Sequence, residues 1–158
     1  MWSEKFEQVI RGLCEIYNVD AKHVLDGSPL TMNGMMFALH HDKEIDSPQL
    51  TAYCNFGKVP QELEAKAYRR LLETNLAIHS GQGGEAFCVD QDGNVVFVVD
   101  YPLEITEPAE LAAYLALTAQ HAQRWREGYF LSEEDEPRKK TWAGTRLLQK
   151  ARAGEGED

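Results

Sequence analysis

The apolar residues in segment 61–79 recur with the 3.6-residue period of an α-helix. They cover an arc of about 220°, whereas a surface helix needs an apolar stripe only a little wider than about 100°. We therefore expect this central helix to pack against its own sheet with one part of the arc and against a second partner with another. The residues on the arc are Leu63, Ala65, Ala67, Tyr68, Leu71, Leu72, Leu76 and Ile78.

A glycine-rich stretch, residues 81–84, ends the central helix and is followed by two strand-like runs, residues 85–90 and 94–101. The runs are joined around Asp92-Gly93, which is a common turn signal in β-hairpins. Segment 95–99 reads Val-Val-Phe-Val-Val and is apolar at every position. This pattern predicts a strand that is covered on both faces.

The part of the chain before the central helix predicts one helix and two strands. Ser3 is a candidate N-cap for a helix with a single apolar stripe from Phe6 to Tyr17, and residues 18–29 are predicted to be a connection. Strands are predicted at 32–41 and 49–56. In the second strand, apolar and polar residues alternate, which gives one buried face. In the first, neither face is clearly polar, since Met35, Phe37 and Leu39 alternate with Met36, Ala38 and His40.

After the hairpin, Thr106-Glu107-Pro108 predicts the start of a third helix, with a capping hydroxyl and an early proline. This helix has one apolar stripe, like the first. The predicted fold class is therefore α+β, an antiparallel twisted sheet with three helices in the order α-β-β-α-β-β-α. We expect one domain over residues 1–131 and a charged, mobile tail over 132–158, in which Trp142 could dock.

The net charge of −10, from 16 basic and 26 acidic residues, excludes some partners. An acidic chain without a basic stripe repels phosphates, so neither nucleic acid nor an anionic membrane is expected to bind. The single cysteines Cys14, Cys54 and Cys88 are predicted to be core residues in a reducing compartment. No signal peptide pattern and no apolar run of about 20 residues is present, so we expect a cytoplasmic protein.

Candidate catalytic and metal-binding residues do not combine into a site. His40 and His41, considered with Asp42 and the distant His23, could be metal ligands, but adjacent strand residues point to opposite faces. Cys88 and His79 lack a third orienting residue, and Cys88 is expected to be buried. The glycines at 81–84 follow a helix, whereas a phosphate-binding loop precedes one. We predict no enzyme activity, no metal and no cofactor.

The clustered methionines Met32, Met35 and Met36 have two interpretations. They could be core filler, or they could form an adaptable surface that binds several peptides. Together with the surplus apolar arc of the central helix, they indicate a protein that associates with other chains.

The order of elements and one stretch of sequence resemble a known family. The stretch is Leu71-Leu72-Glu73-Thr74-Asn75-Leu76, followed by the glycines, by Phe87-Cys88-Val89-Asp90, by Asp92-Gly93 and by the Val-rich segment 95–99. Over residues 6–129 the chain resembles the class I type III secretion chaperones, the Tir-chaperone family. The tail is not covered, and its basic patch departs from the acidic ending usual in that family.

The resemblance implies a homodimer without enzymatic activity. Such a chaperone binds the amino-terminal, non-globular segment of a secreted effector, keeps it soluble and makes it competent for delivery to the secretion ATPase. An isologous dimer would account for the wide arc of the central helix, and a partner segment could add to a sheet edge or fill apolar pockets. The predicted dimer contact is formed by Leu72, Leu76, Phe97 and Val99, and the predicted effector contact by Met35, Phe37, Leu39, Leu50 and Tyr53.

Three questions stay open from the sequence. Either apolar face could serve the dimer or the effector. The chain could instead be an adaptor of the same fold that binds a folded protein outside secretion. It could also be a small enzyme whose site is assembled from distant residues such as His41, Asp42 and Cys54.

Overall fold

The computed structural model describes residues 1–79 and 84–135. The helices are α1 (Trp2–Tyr17), α2 (Ala21–Leu25), α3 (Glu64–Ile78) and α4 (Pro108–Gly128). The strands are β1 (Leu30–Met32), β2 (Met35–His40), β3 (Gln49–Lys58), β4 (Glu85–Val89) and β5 (Asn94–Pro102). All neighbouring strands are antiparallel, in the order β1-β2-β3-β5-β4. The predicted α+β class is confirmed, and α2 and β1 are additional elements.

The helices cover one face of the sheet, and the core lies between them. Along β3, the alternate residues Leu50, Ala52, Cys54 and Phe56 are buried, as the alternating pattern predicts. Helix α4 packs on β3, and α1 packs on α4. The ring of Trp125 in α4 lies 5.8 Å from that of Phe56, and both are fully buried. The opposite face of the sheet has no helix on it within the described residues.

The prediction of a single strand over residues 32–41 is wrong at its start. A turn at Asn33-Gly34 separates β1 from β2 there. Both turn residues have a positive φ, 53° and 77°. Two-residue hairpin turns of the favoured type require this, and Asn-Gly is their commonest sequence. The predicted connection 18–29 contains α2, whose first turn is capped by the Asp20 carboxylate, 3.0 Å from the Lys22 N–H nitrogen.

Neither predicted hydroxyl cap forms. Helix α1 begins at Trp2, and the carboxylate of Asp46, in the loop between β2 and β3, accepts hydrogen bonds from the backbone N–H groups of Trp2 and Ser3. Thr106 donates its hydroxyl to the Pro102 carbonyl instead of capping α4. Pro108 is nevertheless the first residue of α4, as predicted.

The chain after α4 continues in contact with the domain. Phe130 is buried, and Arg70 of α3 donates to the carbonyl oxygens of Phe130 and Ser132 at 2.8 and 3.2 Å. Asp135 pairs with Arg124 at 2.9 Å. The rest of the predicted tail, including Trp142, lies outside the described residues, as do residues 80–83, so the boundary at 131 stays a prediction.

Candidate protein-binding surfaces

Helix α3 buries only part of its wide apolar arc. Ala67, Leu71 and Ile78 face the core, whereas the side chains of Leu72 and Leu76 are 68% and 77% exposed. Two large aliphatic side chains one helical turn apart therefore form an apolar ridge on the outside of the chain. The predicted second contact of this helix would lie on this ridge.

A groove of about 260 Å³ lies between α3 and strand β4, next to the ridge. Its lining is almost entirely apolar and consists of Tyr68, Leu71, Leu72, Phe87, Cys88 and Val89. The side chain of Asn75 joins α3 to the edge of β4 here. Its amide nitrogen donates to the Phe87 carbonyl at 3.0 Å, and its oxygen accepts from the Phe87 N–H at 2.7 Å. Both outward backbone groups of Phe87 are thus occupied, which blocks this position to strand pairing.

The uncovered face of the sheet carries a second apolar surface. Cross-strand pairing places Ala38, Tyr53, Val98 and Ala86 in one row over four strands. A neighbouring row contains Asn55, Val96 and Cys88, and Met36 is exposed on the same face of β2. We call this the outer sheet face. It ends in a polar row, in which Thr51 donates to Asp100 at 2.6 Å.

The Val-rich strand β5 places apolar residues on both faces of the sheet. Val95, Phe97 and Val99 are buried, but Val96 and Val98 are only half-buried. The prediction that both faces of this strand are covered is therefore wrong within a single chain. Its apolar outer side is the feature that would require a partner.

The predicted contact residues fall into two groups. Leu72, Leu76 and Tyr53 are at the surface, Tyr53 with an exposed fraction of 37%. The other six are in the core of the chain, because the helices cover the face of the sheet to which they point: Met35, Phe37, Leu39, Leu50, Phe97 and Val99. Their neighbours Met36, Val96 and Val98, which strand alternation puts on the opposite face, occupy the outer surface instead.

Of the candidate catalytic residues, Cys54 and His41 are buried and Cys88 is exposed. Burial raises the pKa of the Cys54 thiol to about 12, so it stays protonated at neutral pH and is a poor nucleophile. Cys88 is exposed, contrary to prediction, because its neighbour Phe87 takes the inward position on β4. His41 is buried, and its Nε2 lies 2.8 Å from the Ser47 carbonyl oxygen.

Metal binding and membrane insertion are two further possibilities for residues 1–79 and 84–135. No cluster of histidine, cysteine or acidic side chains there has the geometry to hold a metal ion. Among the same residues, no helix has the length and apolar character that a membrane crossing requires.

The chain matches the model of a known protein family. The family model described as Tir chaperone protein (CesT) family matches residues 29–126, from just before β1 to the last turn of α4. The match includes the α3 ridge, the groove beside it and the outer sheet face. Searches of curated proteins and of solved structures returned no significant match.

Proposed function

We propose, because the chain belongs to the Tir chaperone protein (CesT) family, that it is a type III secretion chaperone of the bacterial cytoplasm. In this proposal it acts as a homodimer and holds the amino-terminal, non-globular segment of a secreted effector. The observation that carries the proposal is the presence of two separate apolar surfaces on one small acidic chain, the α3 ridge and the outer sheet face.

The ridge on α3 supports the assignment of the dimer contact. Full burial of an exposed leucine side chain stabilises a complex by about 1.5–3 kcal/mol, and an isologous dimer would bury Leu72 and Leu76 from both copies. The groove beside the ridge could receive the same side chains of the second copy. The buried Phe97 and Val99 would then support β5 from within.

The outer sheet face supports the assignment of the effector contact. An extended segment places alternate side chains on one side, and the cross-strand rows of the sheet offer apolar positions for them. Met36 is flexible and polarizable, so it can fit different side chains. In this assignment Tyr53 is retained as a contact, and Met36, Val96 and Val98 take the place of the buried Met35, Phe37, Leu39 and Leu50.

The experiment is affinity purification of the tagged protein from its native cells, with mass spectrometry of the retained proteins and light scattering of the eluate. We expect one large protein, retained through its amino-terminal segment, on a dimer of this chain. Retention of a folded enzyme would favour the adaptor alternative, and recovery of the chain alone would contradict the proposal.

Charge substitutions test the roles of the α3 ridge and the outer sheet face independently. Leu72→Glu should give a monomer or an aggregate, whereas Ile45→Glu, at a loop side chain that is 73% exposed, should leave the mass of the dimer unchanged. Tyr53→Glu should keep the dimer and weaken retention of the effector. Ile16→Glu, on the exposed side of α1, is its control. A normal dimer of Leu72→Glu would contradict the assignment of the ridge.

A further inference from the structure

The groove between α3 and β4 is suited to an aromatic side chain. The rings of Tyr68 and Phe87 are among its lining residues, and the rest of the lining is almost entirely apolar. Aromatic rings pack favourably on one another, either offset or edge to face. Cys88 also lines the groove and is exposed. An open apolar groove of this kind indicates a binding surface.

Carboxylates outnumber cations at the end of the groove nearest the β4–β5 turn. Glu64 lies one helical turn before Tyr68 on the same side of α3, and Asp90 and Asp92 follow the last groove residue of β4. The nearby cation is Lys58, which pairs across the strands with the residue after the turn. This end of the groove therefore favours an occupant with positive charge.

Residues 137–152, which we call the basic stretch, combine positive charge with a large aromatic side chain, that of Trp142. Six residues of the stretch are basic and none is acidic: Arg138, Lys139, Lys140, Arg146, Lys150 and Arg152. The 136 residues before it contain 10 basic and 23 acidic residues. The stretch is thus complementary in charge to the domain that precedes it, and its tryptophan is complementary in character to the groove.

The described chain ends beside α3. Arg70 of α3 donates to the Ser132 carbonyl at 3.2 Å, and the Ser132 hydroxyl donates to Asp135, the last described residue, at 2.7 Å. Arg70 and the groove lie on opposite sides of α3, so the chain would have to pass around the helix. Half the circumference of a helix about 10–12 Å across is about 16–19 Å. Trp142 follows Asp135 by seven residues, which span up to about 23 Å when extended, so it can reach the groove.

We propose that the basic stretch of the same chain docks on this groove, with the indole of Trp142 against the rings of Tyr68 and Phe87. Its basic side chains would lie toward the carboxylates at the turn end. The stretch, rather than a second copy, then occupies the groove, and the exposed sides of Leu72 and Leu76 are left for the dimer contact. This assigns a role to a segment that the family match over residues 29–126 does not include.

Cys88 reports whether the groove is covered. Cys14 and Cys54 are buried, and burial raises the pKa of the Cys54 thiol to about 12, so both should react slowly in the folded chain. The full chain is treated with iodoacetamide at neutral pH, and mass spectrometry follows the alkylation of each cysteine. We expect Cys88 to react at least fivefold faster in Trp142→Ser than in the parent. Trp142→Phe should restore most of the protection, because its ring can still fill the groove.

Charge variants of the tail supply a matched pair. Replacing Arg138, Lys139 and Lys140 by glutamine should speed the alkylation of Cys88 at least twofold, because it removes attraction to the carboxylates. Replacing Glu155, Glu157 and Asp158 by the corresponding amides neutralises the same number of charges beyond the basic stretch and should not speed it. Cys14 and Cys54 should stay unreactive in every variant, which verifies that each is folded.

A synthetic peptide provides a second measurement. The acetylated, amidated peptide of residues 137–152, added to the Trp142→Ser chain, should protect Cys88 saturably, and the same peptide with serine in place of tryptophan should not. Equal protection by both peptides, or by neither, would overturn the proposal.

Equal alkylation of Cys88 in the parent and in Trp142→Ser would also overturn it. Protection that is lost from both on dilution would assign the groove to a second copy instead. The measurement needs no effector, whereas effector retention and dimer mass are measured separately. A failure here is therefore distinguishable from a failure of the chaperone proposal.

Discussion

Gly12 lies in the middle of α1, where glycine costs a helix about 1 kcal/mol relative to alanine. A Cβ atom at this position would lie 2.5 Å from Cγ of Pro108, at the start of α4. We expect Gly12→Ala to lower the free energy of unfolding by up to about 2 kcal/mol, because overpacking costs about 1–3 kcal/mol and exceeds the helix-propensity gain. Urea denaturation measures this. Gly128→Ala, with open space around the new Cβ, is the control and should not destabilise the chain.

Asp46 caps α1 from a distant loop. The hydrogen bond from the Trp2 N–H, aided by those from the amino terminus and Ser3, lowers the pKa of its carboxyl group below the ordinary value. A lowered folded-state pKa contributes stability that is complete above the unfolded-state value of about 4 and is lost as the pH falls through the folded-state value.

We therefore expect Asp46→Asn to be less stable than the parent at pH 7 and to approach it below about pH 4. Thermal unfolding over this pH range measures the difference. Asp92→Asn is a suitable control, because the Asp92 carboxylate has no hydrogen-bond or ion-pair partner in residues 1–79 and 84–135. A stability difference that does not change with pH would contradict the capping role.

Local sequence could not identify this cap. Ser3 has a preferred capping side chain, but the acceptor that forms the bond comes from a loop more than forty positions away. Thr106 failed as a predicted cap for a similar reason, since a carbonyl four residues back competes for its hydroxyl. Tertiary contacts decide both cases, and no local pattern records them.

Asn75 fastens helix α3 to strand β4 through two hydrogen bonds with Phe87. We expect Asn75→Ala to lower the free energy of unfolding by about 1–3 kcal/mol, because each bond contributes about 0.5–1.5 kcal/mol. It should also speed hydrogen exchange at the Phe87 amide. Glu73→Ala, at an exposed neighbour on α3, should change stability by less than about 0.5 kcal/mol. Unchanged exchange at Phe87 in Asn75→Ala would contradict this role.

The pattern of apolar residues predicted most elements, but not which face of the sheet is covered. Alternation correctly grouped Met35, Phe37 and Leu39 on one side of β2, opposite Met36 and His40. Both sides of that strand are partly apolar, so the pattern could not tell core from surface. Which face is buried is decided by the packing of the helices on the sheet. Six predicted contact residues consequently lie in the core. The Asn33-Gly34 turn, in contrast, has a clear local signal, because Asn-Gly is the sequence most favoured in two-residue hairpin turns.

At the scale of the whole molecule, the apolar surfaces lie on different elements. The ridge with Leu72 and Leu76 belongs to α3 beside the β4 edge, whereas Met36 and Tyr53 lie on the outer sheet face of β2 and β3. The surplus apolar arc of α3 was visible in the sequence and indicated a second contact. The identity of the partner was not visible in the sequence, since an exposed leucine is equally suited to contact with a second copy and with another protein.

Thermal unfolding at several protein concentrations distinguishes these partners for the isolated chain. If the α3 ridge joins two copies and folding is linked to dimerisation, mass action raises the midpoint temperature with concentration. An unfolding enthalpy of about 0.7 kcal/mol per residue gives a rise of about 2 °C per tenfold increase for a dimer of this size. Leu72→Glu should abolish this dependence, and Ile45→Glu should retain it. A midpoint independent of concentration in the parent chain would contradict a dimer linked to folding and would assign the ridge to a different partner.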